Sequence, residues 1–327
     1  MSNEIWVLLQ HRDGALHRGS REAIAAARAI AGRNGGEVVA VLIGKGIADL
    51  ATTAATYDVA RVCTVEHDAL ADYTPGGYVG VLSAAILAAA PAFVVAPHTY
   101  QSVEYVPRLA QAVDAALVPE VVAFEDRDGL AYRRPIMGGK LQAVVRTRGE
   151  GTVVLTVQSG AFSADDAGSG SAEVVALADA GEPAVDREIV GVEQAAEDTV
   201  DLSSADVIVA AGRGVGGEDK MGPITALAAA LGADIGASRP VIDSGWLPRD
   251  RQIGSSGQTV APKLYIAAGI SGAIQHLVGM KGATCVVAIN KDRNAPIFSV
   301  ARYGVIGDLH EVLPALTTAI EEAKAAG

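Results

Sequence analysis

The chain has 327 residues, half of them hydrophobic but only 4% aromatic, with 61 alanines and a formal net charge of −12. That length suits about two domains, and the composition is too apolar for disorder. The acidic balance argues against a general nucleic-acid binder, which needs a basic footprint. No stretch reaches the ~20 apolar residues of a membrane helix; Val79–Ala92 comes nearest. Met1-Ser2-Asn3-Glu4 lacks the basic and apolar regions of a signal peptide. Cys63 and Cys285 each sit in an apolar run, without metal-type spacing, and read as buried thiols. A reduced, soluble, cytoplasmic protein is expected.

In chain order, short apolar runs alternate with Ala-rich helical stretches. Ile5–Gln10 reads as a strand, and Arg21–Ala31 as a helix capped by Ser20. Strands follow at Val38–Ile43, Arg61–Val65 and Phe93–Ala96, and helices at Ile47–Thr56, Val79–Ala90 and Val103–Ala116. Continuous apolar strands separated by helices imply a parallel sheet covered on both faces. Such a sheet binds ligands at the carboxyl ends of its strands. The pattern then changes. Leu130–Ile136, Leu141–Thr147 and Thr152–Val157 read as strands with no helix between them. Turns at Gly138-Gly139 and Gly149-Glu150-Gly151 suggest an antiparallel extension at one edge.

The stretch 163–198 is polar, then acidic and irregular, and the domain boundary is expected within Ala180–Leu202. Alternation resumes with a strand at Val207–Ala211, a helix at Ile224–Leu231 opened by Pro223, strands at Leu264–Ala268 and Cys285–Ile289, and a helix at Leu309–Ala325. The expected fold class is therefore α/β, in two domains covering 1–190 and 191–327. Each is a mainly parallel sheet with helices on both faces.

Three turns in the second half could carry chemistry. Gly212-Arg213-Gly214-Val215-Gly216-Gly217 follows a strand. Its glycines would let the backbone approach a phosphate, with Arg213 adding charge; a flexible turn is the plainer alternative. Gly269-Ile270-Ser271-Gly272-Ala273-Ile274-Gln275-His276 also follows a strand. Ser271 reads as an N-cap, leaving the Gly272 and Ala273 N–H groups at the positive end of a helix. His276, one turn in, could equally be a solvated helix histidine. Ile253-Gly254-Ser255-Ser256-Gly257-Gln258-Thr259 is a loop of small polar residues that could bond a heteroaromatic ring edge or be a surface turn. Arg239 could pair with a surface acid or lie over a ring. No Ser/His/Asp set, carboxylate dyad or HExxH is present, so the chemistry would come from a cofactor.

The residues of Ser238–Pro314 carry a resemblance. They include Pro262–Leu277 (PKLYIAAGISGAIQHL), Gly279-Met280, Val287–Asp292 (VAINKD), Ala295–Phe298 (APIF) and Tyr303-Gly304. This stretch resembles the FAD domain of the electron transfer flavoprotein α subunit, and Arg134-Pro135-Ile136 fits the same family.

The resemblance implies a heterodimer with a β subunit that usually holds AMP. It implies FAD in the C-terminal domain, flavoprotein dehydrogenases as donors and a membrane quinone oxidoreductase or similar acceptor. The N-terminal domain would be nucleotide-α-hydrolase-like and pack on the β subunit. Arg213 and Ser238 would contact the dinucleotide, and Arg239 would lie near the isoalloxazine. Ile253, Gly254, Ser255 and Ser256 would line the flavin edge, with the Ser256 hydroxyl at N5. Ser271, Gly272, Ala273, Ile274, Gln275 and His276 would cradle the cofactor, His276 on the O2 side. Asn290, Asp308 and Leu309 would reach the adenosine end. A cation such as Arg239 and a donor such as His276 would favour negative charge near N1 and O2.

Three positions depart from the family pattern. Ser255 stands where Gln is frequent, Gln258 where Lys is common, and Arg302 where Asp is common. These departures bear on the flavin potential rather than on flavin binding. Within the family, an electron-bifurcating form with a second FAD in the β subunit is the alternative. From other classes, a nucleotide-binding regulatory module would fit residues 1–120 but leave the second-half loops without use. An NAD-dependent dehydrogenase would fit Asp234, ~20 positions after Gly214, but lacks an acid/base pair.

Overall fold

The structure is a computed structural model that describes residues 2–137, 139, 141–184, 187–191 and 200–326. The Gly138-Gly139 turn and the boundary segment 180–202 therefore fall partly outside the described residues. The chain divides into two compact units, Met1–Val192 and Glu193–Gly327.

In the first unit, β1 (Glu4–Leu9) leads through a small hairpin, β2 (His11–Arg12) and β3 (Ala15–Leu16), into α1 (Arg18–Asn34). Next come β4 (Glu37–Gly44), α2 (Ala48–Ala54), β5 (Arg61–Glu66), α3 (Pro75–Ala89), β6 (Phe93–Pro97) and α4 (Tyr100–Ala112). Strands β7 (Ala116–Val121), β8 (Ala123–Asp126), β9 (Leu130–Ile136), β10 (Leu141–Val145), β11 (Val153–Val157) and β12 (Glu173–Ala176) complete it. Seven strands form one parallel sheet in the order β12-β5-β4-β1-β6-β11-β7. Alternate residues of β1 face opposite layers. Ile5, Val7 and Leu9 pack with α1 and α2, and Trp6 and Leu8 pack with α3 and α4.

Several expectations change here. The antiparallel extension is the three-stranded sheet β10-β9-β8. Thr152–Val157, expected to join it, forms β11 inside the parallel sheet, between β6 and β7. Val154 faces one core and Leu155 and Val157 the other, all buried, so a short apolar run became a central strand. Helix α1 starts before Ser20, because the His17 ring accepts the Gly19 N–H and caps it. Ser20 is instead buried and bonds the Gln10 carbonyl at 2.9 Å. The helix expected to reach Ala116 stops at Ala112, where Asp114 takes a left-handed φ of 50°. Cys63 is buried as expected, but Cys285 is only partly so.

The second unit holds β13 (Val207–Ala211), α5 (Gly222–Leu231), β14 (Asp234–Ala237), α6 (Arg239–Asp243), β15 (Leu264–Ala268), α7 (Ile274–Met280), β16 (Cys285–Asn290), β17 (Tyr303–Ile306) and α8 (Leu309–Ala326). Its sheet is parallel, in the order β14-β13-β15-β16-β17. One face packs Ile208, Tyr265 and Ala267 with Ile253 and Met280. The other packs Val209, Ile266 and Ala268 with α5 and α8. Strands β12, β14 and β17 escaped the sequence reading because each has only four residues.

At the carboxyl ends of β13 and β15 the backbones touch. Gly212 N–H donates to Ala268 O at 2.8 Å and Gly214 N–H to Gly269 O at 3.0 Å. A Cβ on Gly212 would lie 2.1 Å from Gly269 O. Gly212→Ala therefore forces backbone apart and costs about 3 kcal/mol or more, read as a lower denaturant midpoint. Gly222, at the start of α5, has open space around it, so Gly222→Ala changes stability by no more than ~1 kcal/mol and in the favourable direction. Equal effects of the two changes would refute this account.

Candidate functional site

The parallel register aligns the strand ends of the second unit. Ala211 pairs with Ala237 and with Ala268, and Ala268 pairs with Ile289. Every site residue implied by the resemblance lies at or just beyond this edge, or on the loop that joins it. Ile253 N–H donates to Ala237 O at 2.9 Å and so ties the loop 253–256 to the end of β14.

Arg213 opens a tight turn, Arg213–Val215, and is exposed. Ser238 is buried before α6, and its side chain makes no cap bond. Arg239 is exposed, its Nε 3.3 Å from Asp243 one turn along the same helix. Such an exposed pair holds the arginine weakly and leaves it exchangeable.

In the 253–256 loop, Ile253 and Gly254 are buried while Ser255 and Ser256 are exposed. Ser255 N–H donates to Gln275 O at 2.8 Å. Gln252 Nε2 donates to Ser256 Oγ at 2.9 Å. The Ser256 oxygen is then an acceptor within the chain, and its own proton remains for another partner.

Ser271 is not the cap of α7. That helix begins at Ile274 with Ala273 at its N-cap and no side-chain cap bond. Gly272, at φ 84°, turns the chain between Ser271 and the helix, and Ser271 O accepts the Ile297 N–H at 3.0 Å. Gly272 is buried against Ile297, whereas Ser271, Ala273, Ile274 and Gln275 are exposed.

His276 is only 6% exposed, not solvated. Its Nδ1 lies 3.1 Å from Ile253 O and its Nε2 2.9 Å from the Tyr265 hydroxyl. A carbonyl can only accept, so Nδ1 carries the proton. In a neutral ring Nε2 then accepts, and Tyr265 donates to it. Burial holds the ring well below the usual histidine value, at about 4, against the opposing pull of the Ile253 carbonyl. Tyr265, fully buried, entered the sequence reading only as part of the Leu264–Ala268 strand. The signal available was that a buried tyrosine hydroxyl needs a partner.

At the far end of the edge, Asn290 Nδ2 donates to Ile270 O at 2.9 Å and Asn290 Oδ1 accepts the Asp292 N–H. Asp308 pairs with Lys291 at 2.9 Å and accepts the His310 N–H at the start of α8. Lys291 and then that N–H hold the Asp308 carboxyl below its ordinary range. Leu309 is buried in the α8 core, so its backbone rather than its side chain is at the edge.

Three helical turns on this edge, preceded by Gly212, Ser238 and Ala273, carry no side-chain cap bond. Exposed arginines and a serine proton beside these turns suit an anionic ligand that carries a hydrogen-bonding ring. Among the described residues no His/Cys/Asp/Glu group could hold a metal ion. No described helix is long and apolar enough to cross a membrane.

The comparisons agree with this class of site. Residues 5–181 match the electron transfer flavoprotein domain, and residues 201–281 match the electron transfer flavoprotein FAD-binding domain. Relatives named electron transfer flavoprotein subunit alpha match along nearly the whole chain. The Thermoanaerobacterium thermosaccharolyticum protein is 36% identical, covering 98% of both chains. The Bacillus subtilis protein is 39% identical, covering 97% of both. The Mycobacterium tuberculosis protein is 40% identical, covering 98% of this chain and 99% of its own. The chain belongs to the electron transfer flavoprotein α-subunit family.

The His276 assignment has a pH consequence. The unfolded ring titrates near 6.5 and the folded one near 4. The unfolded state thus binds the proton first as pH falls. The contribution of the neutral ring is complete above about pH 6.5 and is lost as pH drops toward 4. Imidazole 15N NMR should show a neutral Nδ1–H tautomer at pH 6. A His276 midpoint near 6.5, or an Nε2–H tautomer, would sink the assignment.

Proposed function

We propose that the chain binds FAD at the carboxyl edge of its second unit. Paired with a β subunit, it carries electrons in the cytoplasm from flavoprotein dehydrogenases to a quinone oxidoreductase or similar acceptor. The observation that carries the proposal is that three uncapped helical turns and the Ser256 loop lie at one strand edge, in a segment that matches a FAD-binding family model. The bound flavin supplies the redox chemistry.

The chain's own residues bind and orient it. Arg213, with Ser238, holds the phosphate-bearing part, and Arg239 exchanges Asp243 for the ring side of the ligand. The Ser256 hydroxyl, beside Ser255 on the same exposed turn, would keep its proton and hydrogen-bond the ring's N5. The backbone of Ser271 to Gln275 forms the cradle wall; His276, expected as a donor on the O2 side, instead has both ring nitrogens bonded to Ile253 and Tyr265 and keeps Ile253 in place behind that wall. Asn290, Asp308 and the Leu309 backbone reach the adenosine. No general base is needed for electron carriage. The β subunit is expected to hold AMP, or a second FAD if the complex bifurcates.

The domain assignment, 1–190 and 191–327, belongs to this proposal. The first unit would present the surface for the β subunit. Exposed apolar side chains support a protein contact there: Tyr100 and Val103 on α4, and Met137 and Leu141 around the β9–β10 turn.

The test is co-production with the β subunit, followed by visible spectroscopy and nucleotide analysis. A yellow complex with one FAD and one AMP is expected. A folded, colourless complex that cannot be reconstituted with FAD would overturn the proposal, and two flavins with NADH bleaching would assign the bifurcating form. Ser256→Ala should weaken FAD binding about fivefold through one lost hydrogen bond. Arg239→Ala should lower the potential of the first electron uptake. A stepwise titration unchanged from wild type would remove Arg239 from the ring environment.

A further inference from the structure

The 253–256 loop is held from two sides. His276 and Tyr265 hold Ile253. The other attachment runs to the chain that enters the unit, and it is made by Gln258. Its Oε1 accepts the Leu202 N–H at 2.9 Å. Its Nε2 donates to Val200 O at 2.8 Å and also to Asp250 O. Only one amide orientation satisfies an N–H and two carbonyls at once, so the side chain has a single arrangement here. Asp250 adds a fourth bond, its Oδ2 accepting the Val200 N–H at 3.0 Å.

Gln258 is equally committed through its backbone. Its N–H donates to Gln252 O at 2.7 Å, and its carbonyl accepts the Gly254 N–H at 3.2 Å. The residue therefore closes the loop with its main chain and grips residues 200–202 with its side chain. Leu202, fully buried, packs in the same apolar cluster as Ile253 and Val260. The grip thus has an apolar anchor as well as polar bonds.

We propose that Gln258 is a positioning residue: with Asp250 it clasps Val200–Leu202 to the loop and so fixes the exposed turn of Ser255 and Ser256. The inference rests on the flavin reading for its consequence, since that turn would meet the ring. The clasp itself does not depend on the flavin.

The test uses the full chain with its β subunit and two variants. Gln258→Leu removes all three side-chain bonds. Gln258→Glu keeps an acceptor for Leu202 N–H and loses both donated bonds. Hydrogen exchange read by mass spectrometry or NMR should show faster exchange at Leu202 in Gln258→Leu but not in Gln258→Glu. Both variants should expose the Gly254 and Ser255 amides. FAD release should quicken in both, by about tenfold in Gln258→Leu, equivalent to about 1.4 kcal/mol. Wild-type exchange at Gly254 and Ser255 in both variants overturns the clasp, even if global stability falls. Faster loop exchange with unchanged FAD release overturns the positioning role. If Gln258→Leu does not fold, Gln258→Glu decides alone. A wild-type complex without flavin refutes the flavin reading, and the exchange measurement still decides the clasp.

Discussion

The second unit depends on two backbones meeting without side chains between them. Gly212 and Gly214 lie directly against Gly269, at the carboxyl ends of neighbouring strands. Any Cβ on Gly212 would collide with the Gly269 carbonyl. This close approach brings the Arg213 turn and the stretch before α7 together. Without it, the Arg213 turn could not lie directly against Gly269. Parallel register does the rest, because Ala237 and Ile289 end level with Ala211 and Ala268.

The same economy of side-chain volume runs through the molecule. With 61 alanines and few aromatic rings, the layers are packed by small residues. In β13 and β15, Ala210, Ala211, Ala267 and Ala268 are all inaccessible. Such strands leave room for helices on both faces but give little material to grip a planar ligand. The aromatic residue near the site, Tyr265, is core and acts through its hydroxyl on His276. The exposed groups at this edge are instead arginines and short polar side chains on turns. His276 and Gln258 matter for that reason: a loop of glycine and serine has little stiffness of its own.

The strand–helix alternation was largely legible, because a central parallel strand must be apolar on both faces and therefore stands out. Val38–Ile43 and Leu264–Ala268 are runs of that kind. The loops at the strand ends were singled out for a different reason, the family pattern carried by Ser238–Pro314. What failed was local geometry. Ser20 and Ser271 both looked like caps, yet His17 caps one helix and Gly272 turns the chain away before the other. Thr152–Val157 looked like the third strand of a meander, yet it was drawn between β6 and β7. Nothing within those six residues says which sheet will bury them.

From the sequence alone came the class of fold, the division into two α/β halves and the glycine-bearing turns that lie at the strand ends of the second unit. These depend on periodicity and on turn residues, which are local properties. The packing of distant residues sets the rest: His276 is buried, neutral and bonded through Nδ1 to a carbonyl. Only there does Gln258 meet Leu202, and Asp308 meet Lys291. Each of these is a pairing between residues distant in the chain or displaced across a fold. The charge state or donor role of such a group is set by the partner it meets and by its exclusion from water.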